Sequence, residues 1–305
     1  MSDRIKIFFA YTAICTIWGS TWLVIKLGLE TMTPLLSAGL RFAFAGLVLF
    51  VIIRIRKIPI PWNSNTRWFF LVAACTSFSF PFGLVYWGER QISSGMTSVL
   101  FATFPLCVAI ISSLMIPSDK ITLQKVLGVL LGFFGVVTIF SHDIQFDGNS
   151  ATMMGMGAVV LSAAIQAFSA VLIKKYGHDI SPFVVSFVPM SISAVILLTG
   201  SLTIEDYSTV QFTPMALFSI FFLAIFGTII TFVSYFWLLK RVEVVLLSLT
   251  SFVTPIIAVL LGVFILDEKI SAQLFGGAFL VFLGIATANI NEIQALLRKR
   301  FSQQK

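Results

Sequence analysis

An all-α membrane protein of ten transmembrane helices, built as two inverted-topology five-helix repeats, is the fold class this sequence predicts, and three observations predict it. The 305 residues are 58% hydrophobic and only 11% charged, with a mean hydropathy of +1.01. A soluble chain carries roughly a quarter of its residues as charges. Uncharged runs long enough for a bilayer, which takes about 20 apolar residues to cross, recur along the chain. The second half then repeats residues of the first.

Taken in order, the runs place spans at about 7–28, 34–53, 68–88, 94–116, 122–141, 152–173, 182–202, 214–238, 244–266 and 271–291. The first follows a short basic start and lacks a small-residue cleavage site. It is also too long for a signal sequence, so it reads as helix one. The 32 Phe and 6 Trp suit surfaces that face acyl chains. Together with the apolar runs they turn the +7 net charge away from nucleic acid and toward an anionic leaflet, making the lipid bilayer the first partner. Cys15, Cys75 and Cys107 all fall inside spans without paired spacing, so neither a disulfide framework nor a zinc site is expected.

Orientation follows from the basic residues between spans. Arg4 and Lys6, the Arg54–Arg67 group, Lys120 and Lys125, Lys174 and Lys175, Lys240 and Arg241, and the tail with Arg298, Lys299 and Arg300 alternate with loops that hold only Lys26, Arg90 and Lys269. The positive-inside rule places both termini in the cytoplasm of a cell whose cytoplasmic membrane this multi-pass chain occupies. The opposite loops are acidic, with Glu30, Glu89, Asp143, Asp147, Glu205, Asp206, Asp267 and Glu268. All connections are too short for a separate soluble domain.

The repeat is read from matched residues. "ATFPLCVAIISSLMIPSDKITLQKVLGVLLGFFG" (102–135) is echoed by "SFVTPIIAVLLGVFILDEKISAQLFGGAFLVFLG" (251–284), which puts Pro105 on Pro255, Lys120 on Lys269 and Gly135 on Gly284. Upstream, Lys26 and Pro34 fall on Lys174 and Pro182. Residues 1–141 form the first unit, 152–291 the second and 292–305 a basic cytoplasmic tail. Five helices is an odd number, so the second copy enters the membrane from the opposite face, the symmetry secondary transporters use for alternating access.

"IWGSTWLVIKLGLE" in helix one, "TPLLSAGLRFAFAGLVL" in helix two and "LDEKIS…GGAFLVFLGI" near the end resemble the drug/metabolite transporter superfamily, specifically its EamA-type exporters, over residues 7 to 291. The resemblance implies two halves around a central cavity and export of a small metabolite such as an amino acid.

The candidate pathway residues are Trp18, Lys26, Arg41, Tyr86 and Gln166. Trp18 is a mid-span tryptophan, away from the interface where Trp concentrates. Arg41 lies about 10 Å into helix two at 1.5 Å per residue, where its guanidinium either binds a substrate carboxylate or phosphate, snorkels outward, or pairs with Glu89 or Glu30. Lys26 either snorkels or joins the pathway. Tyr86 stands beside Trp87 on helix three, and Gln166 is the strongly polar amide of helix six, facing either a cavity or another helix. Pro105 and Pro255, inside helices four and nine, are the kink or hinge candidates. The glycine runs of helices five and ten indicate close packing or a homodimer contact.

No nucleotide-binding loop occurs, so no cofactor is expected and transport is secondary. His142 and His178 lie in loops and join no metal or catalytic set, so an enzyme is not expected. Acids sit only in loops or at helix ends, Glu89 being the nearest to a proton-relay position. The alternatives are a facilitator or importer of a small metabolite and, further off, a membrane-embedded enzyme or a non-transporting receptor.

Overall fold

The computed structural model describes residues 3–116, 122–139, 150–257, 272–288 and 290. All regular structure among them is helical. The helices are α1 (Asp3–Gly28), α2 (Pro34–Ile55), α3 (Ser64–Ala73), α4 (Phe80–Gln91), α5 (Ser94–Phe101), α6 (Phe104–Met115), α7 (Leu123–Ile139), α8 (Ser150–Tyr176), α9 (Pro182–Ile204), α10 (Pro214–Ala224), α11 (Thr231–Leu239), α12 (Val244–Ser248), α13 (residues 250–257) and α14 (Ala272–Ala288). Among the described residues seven continuous helical stretches are long and apolar enough to cross a membrane. Three shorter apolar ones, Leu123–Ile139, Val244–Ile257 and Phe275–Ala288, accompany them. The expected Lys120–Lys269 match, the acids Asp143, Asp147, Asp267 and Glu268, and the 292–305 tail lie outside the described residues.

Proline starts the helices the sequence marks for it. Pro34, Pro182 and Pro214 each open a helix, where the missing N–H costs nothing and the fixed φ fits. Helices three and eight are not regular α-helices throughout. Each contains one π-type turn, Ala74–Ser79 between α3 and α4 and Ile225–Ile230 between α10 and α11. These two π-bulges sit at nearly the same place in the two halves of the chain.

The helices that carry Pro105 and Pro255 are each interrupted ahead of the proline. The fourth helix breaks at Ala102–Thr103, and Pro105 is the second residue of α6 rather than a kink in its interior. The ninth breaks at Leu249, ahead of Pro255 in α13. In both, a tightened turn marks the break, with Ala102 N donating to Val99 O at 3.1 Å and Phe252 N to Leu249 O at 3.0 Å. Pro105 is tolerated in the first turn of α6, which leaves the break to the residues before it, whereas Pro255 sits in the second turn of α13.

Helices pack mainly across the midpoint of the chain. α7 lies against α14, α2 against α9, α4 and α6 against α8, and α1 against α10 and α11. The α7–α14 contact explains the glycine runs. A Cβ on Gly128 would lie 2.5 Å from Gly284 O, and one on Gly277 would lie 2.5 Å from Gly135 O, so only glycine lets these backbones touch. Phe134 on α7 and Phe275, Phe279 and Phe282 on α14 point outward, an apolar surface suited to lipid and not to water.

Polar groups tie the helix ends. Lys26 Nζ donates to Glu89 O at 2.6 Å and Ile92 O at 3.0 Å, at the end of α4. Lys174 Nζ does the same to Leu239 O at 2.6 Å and Val242 O at 2.8 Å, at the end of α11. The matched lysines thus satisfy the carbonyls that a helix leaves without partners at its C-terminus. At the N-terminus of α2 the Glu205 carboxylate, arriving from the end of α9, accepts from Leu35 N at 2.7 Å and Leu36 N at 3.0 Å. A negative charge on those free N–H groups is the arrangement the helix dipole favours.

Candidate functional site

Midway along the helices a cavity of about 90 Å³ opens between the two halves of the chain. One water needs roughly 10–15 Å³ of such space, so several would fit. Its wall is mostly rings. Trp18 and Trp22 come from α1, Phe82 from α4, Phe101 and Phe104 from α5 and α6, and Phe232, Tyr235 and Phe236 from α11. The rings pack on one another: Trp18 lies 5.5 Å from both Phe232 and Tyr235, and Trp22 lies 5.4 Å from Phe101. Edge-to-face and tilted packing of this kind fixes ring orientations and leaves a stiff apolar wall.

Arg41 of α2 is the charged residue in this wall, and no Asp or Glu lines it among the described residues. The guanidinium is 2% exposed. Nε donates to Thr228 Oγ1 at 2.7 Å, Nη2 to Gly227 O at 2.9 Å and Nη1 to the Tyr86 hydroxyl at 3.0 Å. It also lies 5.0 Å from the Phe82 ring centre, a cation–π distance. It neither reaches outward nor pairs with Glu89 or Glu30, and no carboxylate comes within ion-pair distance of it among the described residues. Burial of an ion costs several kcal/mol, and three charge-assisted hydrogen bonds of about 1.5–3 kcal/mol each offset that cost. Gly227 makes the arrangement fit, because a Cβ there would sit 2.9 Å from Thr21 Cγ2 and 3.3 Å from Arg41 Nη2.

Of the residues singled out in the sequence, Trp18, Arg41 and Gln166 come together at the cavity. Gln166 Nε2 donates to Ser77 O at 3.4 Å, and Ser77 in turn hydrogen-bonds Ser169. Tyr86 is fully buried one layer behind, holding Arg41. Lys26 is not in the lining; its ammonium is spent on the α4 end described above. Glu89 is 0% exposed, and neither carboxylate oxygen has a hydrogen-bond partner among the described residues, with Lys26 the cation whose charge acts on it.

Other members of the site escaped the sequence. Thr228 and Gly227 lie far along the chain from Arg41, and no local pattern points to their meeting. Tyr235 is one aromatic among many in the sequence, and its buried hydroxyl, which has no partner among the described residues, is visible only in the fold. Thr21, Thr250, Ser251 and Thr254 add hydroxyls to the wall, several of them bonded back to their own helix. Such residues look like ordinary helix-interior serines and threonines in a sequence. Among the described residues no three His, Cys, Asp or Glu side chains gather where a metal ion could bind.

Comparison with known proteins gives this site a setting. The family model described as "EamA-like transporter family" matches twice, at residues 5–141 and 153–290. Similar curated proteins include the uncharacterized transporter YoaV of Bacillus subtilis, 27% identical and covering 92% of this chain and 96% of its own length. The uncharacterized inner membrane transporter YedA of Escherichia coli is 29% identical over 88% of this chain and 85% of its own. Protein PagO of Salmonella typhimurium is 25% identical over 88% of each. One solved crystal structure covers 96% of this chain and 99% of its own with a TM-score of 0.80 at 18% identity, a likeness of fold alone.

Proposed function

We propose, from the premise that the chain belongs to the EamA-like transporter family, that it is a secondary active transporter exporting a small metabolite across the cytoplasmic membrane by alternating access. In this reading ten spans form two inverted five-helix repeats, 1–141 and 152–291, with both termini cytoplasmic. The observation that carries it is the central cavity, whose wall takes residues from both halves around one buried cation. Matched details support the symmetry: the Lys26 and Lys174 bonds to helix ends, the two π-bulges and the tightened turns at Val99–Ala102 and Leu249–Phe252. Inverted repeats of this kind make inward-open and outward-open states alike in energy, with the substrate held near the midplane.

Trp18, Arg41 and Gln166 are assigned to the pathway. Lys26 and Tyr86 are assigned to its frame, and the breaks ahead of Pro105 and Pro255 to its moving parts. The test is reconstitution of the purified protein in liposomes loaded with a labelled metabolite mixture. Release that is faster than from empty-membrane controls and accelerated by an ion gradient is expected. Release indifferent to every gradient would make the protein a facilitator, and no release under any gradient or exchange condition would end the transport reading.

A further inference from the structure

We infer that the central cavity selects an apolar, ring-bearing monocarboxylate, with Arg41 holding the carboxylate and the aromatic wall holding the body, and that it disfavours the α-amino analogue of the same molecule. This rests on the transporter reading and narrows the metabolite expected there.

Donors come first. A guanidinium carries five N–H groups, and three of those on Arg41 are used, one on Nε and one on each Nη nitrogen. One N–H on each Nη has no hydrogen-bond partner among the described residues. No carboxylate of the described residues neutralises the charge. A buried cation with two free donors in a cavity wall is the recognition element for a planar anion, and Arg suits a carboxylate because its donors match the two oxygens.

The rest of the wall fixes what the anion is attached to. Trp18, Phe82, Phe232 and Phe236 present ring faces and edges, which favour a flat apolar body. The Tyr235 hydroxyl, buried without a partner among the described residues, is a second polar anchor. Among the described residues no carboxylate lines the cavity to receive an ammonium. An α-amino group placed beside Arg41 would meet a like charge in an apolar site, where repulsion is strong and desolvation unrewarded. A phosphate would bring more charge than one unpaired guanidinium balances.

Three ligands with one body separate these terms: 3-phenylpropionate, its neutral amide and L-phenylalanine. Binding is measured on the intact purified protein by isothermal calorimetry in detergent. The expected result is that 3-phenylpropionate binds at least tenfold more tightly than either other compound, and that Arg41→Lys, which keeps the charge and loses the fork, reduces its affinity by about tenfold. Equal binding of the amide, tighter binding of phenylalanine, or no binding of 3-phenylpropionate overturns the inference. If Arg41→Lys fails to fold, the ranking of the three ligands on the unaltered protein still decides. Failure here leaves the liposome release assay untouched, since that assay uses an unselected mixture and reads movement rather than preference.

Discussion

The two π-bulges stand at nearly matching places in the two halves, yet different chemistry holds them. Around Ala74–Ser79 the partners are neutral. Ser193 Oγ donates to Ala74 O at 2.9 Å, Ser169 bonds Ser77, and Gln166 reaches Ser77 O. Around Ile225–Ile230 the partner is the Arg41 guanidinium, with Thr228 and Gly227 as its acceptors. Other matched pairs stay alike: Lys26 and Lys174 make the same two bonds, and Thr138 and Thr287 each bond back to the carbonyl four residues earlier. The frame keeps the duplication and the cavity abandons it. A π-bulge is a recurrent place for function within a helix, and here one of the pair has taken a charge and the other has not.

Breaking the charged side has the largest expected effect. Arg41→Met removes the cation but keeps much of the volume, so substrate release in liposomes should fall by about 100-fold, the worth of a charge-assisted hydrogen-bond pair. Its unfolding midpoint should move little, because the relief of a buried charge offsets the lost bonds. Gly227→Ala pushes a methyl at Thr21 and Arg41 Nη2, and overpacking of this kind costs about 1–3 kcal/mol. Thermal unfolding in detergent should show that loss, and transport should fall by about tenfold because Arg41 is displaced.

The symmetric frame gives smaller effects. Lys26→Met and Lys174→Met each leave two helix-end carbonyls without their donor, a loss of about 1–3 kcal/mol apiece in unfolding measurements. Adding Glu89→Gln to Lys26→Met should restore part of that stability, since the amide carries no charge to bury beside the missing cation. An additive double mutant would show that Glu89 and Lys26 are independent. Ser193→Ala is the mildest. It removes two neutral hydrogen bonds at the uncharged bulge, the one to Ala74 O and the one accepted from Ser79 Oγ, about 1–2 kcal/mol in all, and transport should persist near the original rate. Equal damage from Ser193→Ala and Arg41→Met would erase the distinction between the two bulges.

How much of this was legible in the sequence depends on range. The run of long apolar helices was readable because hydrophobic run length is local and additive, and the two family matches fall on the stretches that residues such as Pro34 and Pro182 pair. Arg41 stood out because a charge seven residues into an apolar helix has few explanations, and Trp18 and Gln166 stood out for the same reason. The bulges were hidden. One extra residue per turn changes nothing in a helix that is apolar all round, since there is no polar face to fall out of register. The partners of Lys26 were hidden too, because they are backbone carbonyls, which every sequence supplies and none advertises. Thr228 and Gly227 depend on a long-range contact with Arg41 that only folding defines.

The Glu205 carboxylate that grips the start of α2 belongs to the other half of the chain, as does the bulge that takes Arg41 farther along the same helix. Helix α2 is therefore fastened at two levels to the other half of the chain, and α1, α4 and α8 likewise pack on helices of the opposite half. The stretch that one family match covers and the unit that packs together are different objects. Neither copy could close a cavity wall if it were expressed alone, and a chain severed between residues 141 and 152 would have every reason to re-knit from its two fragments.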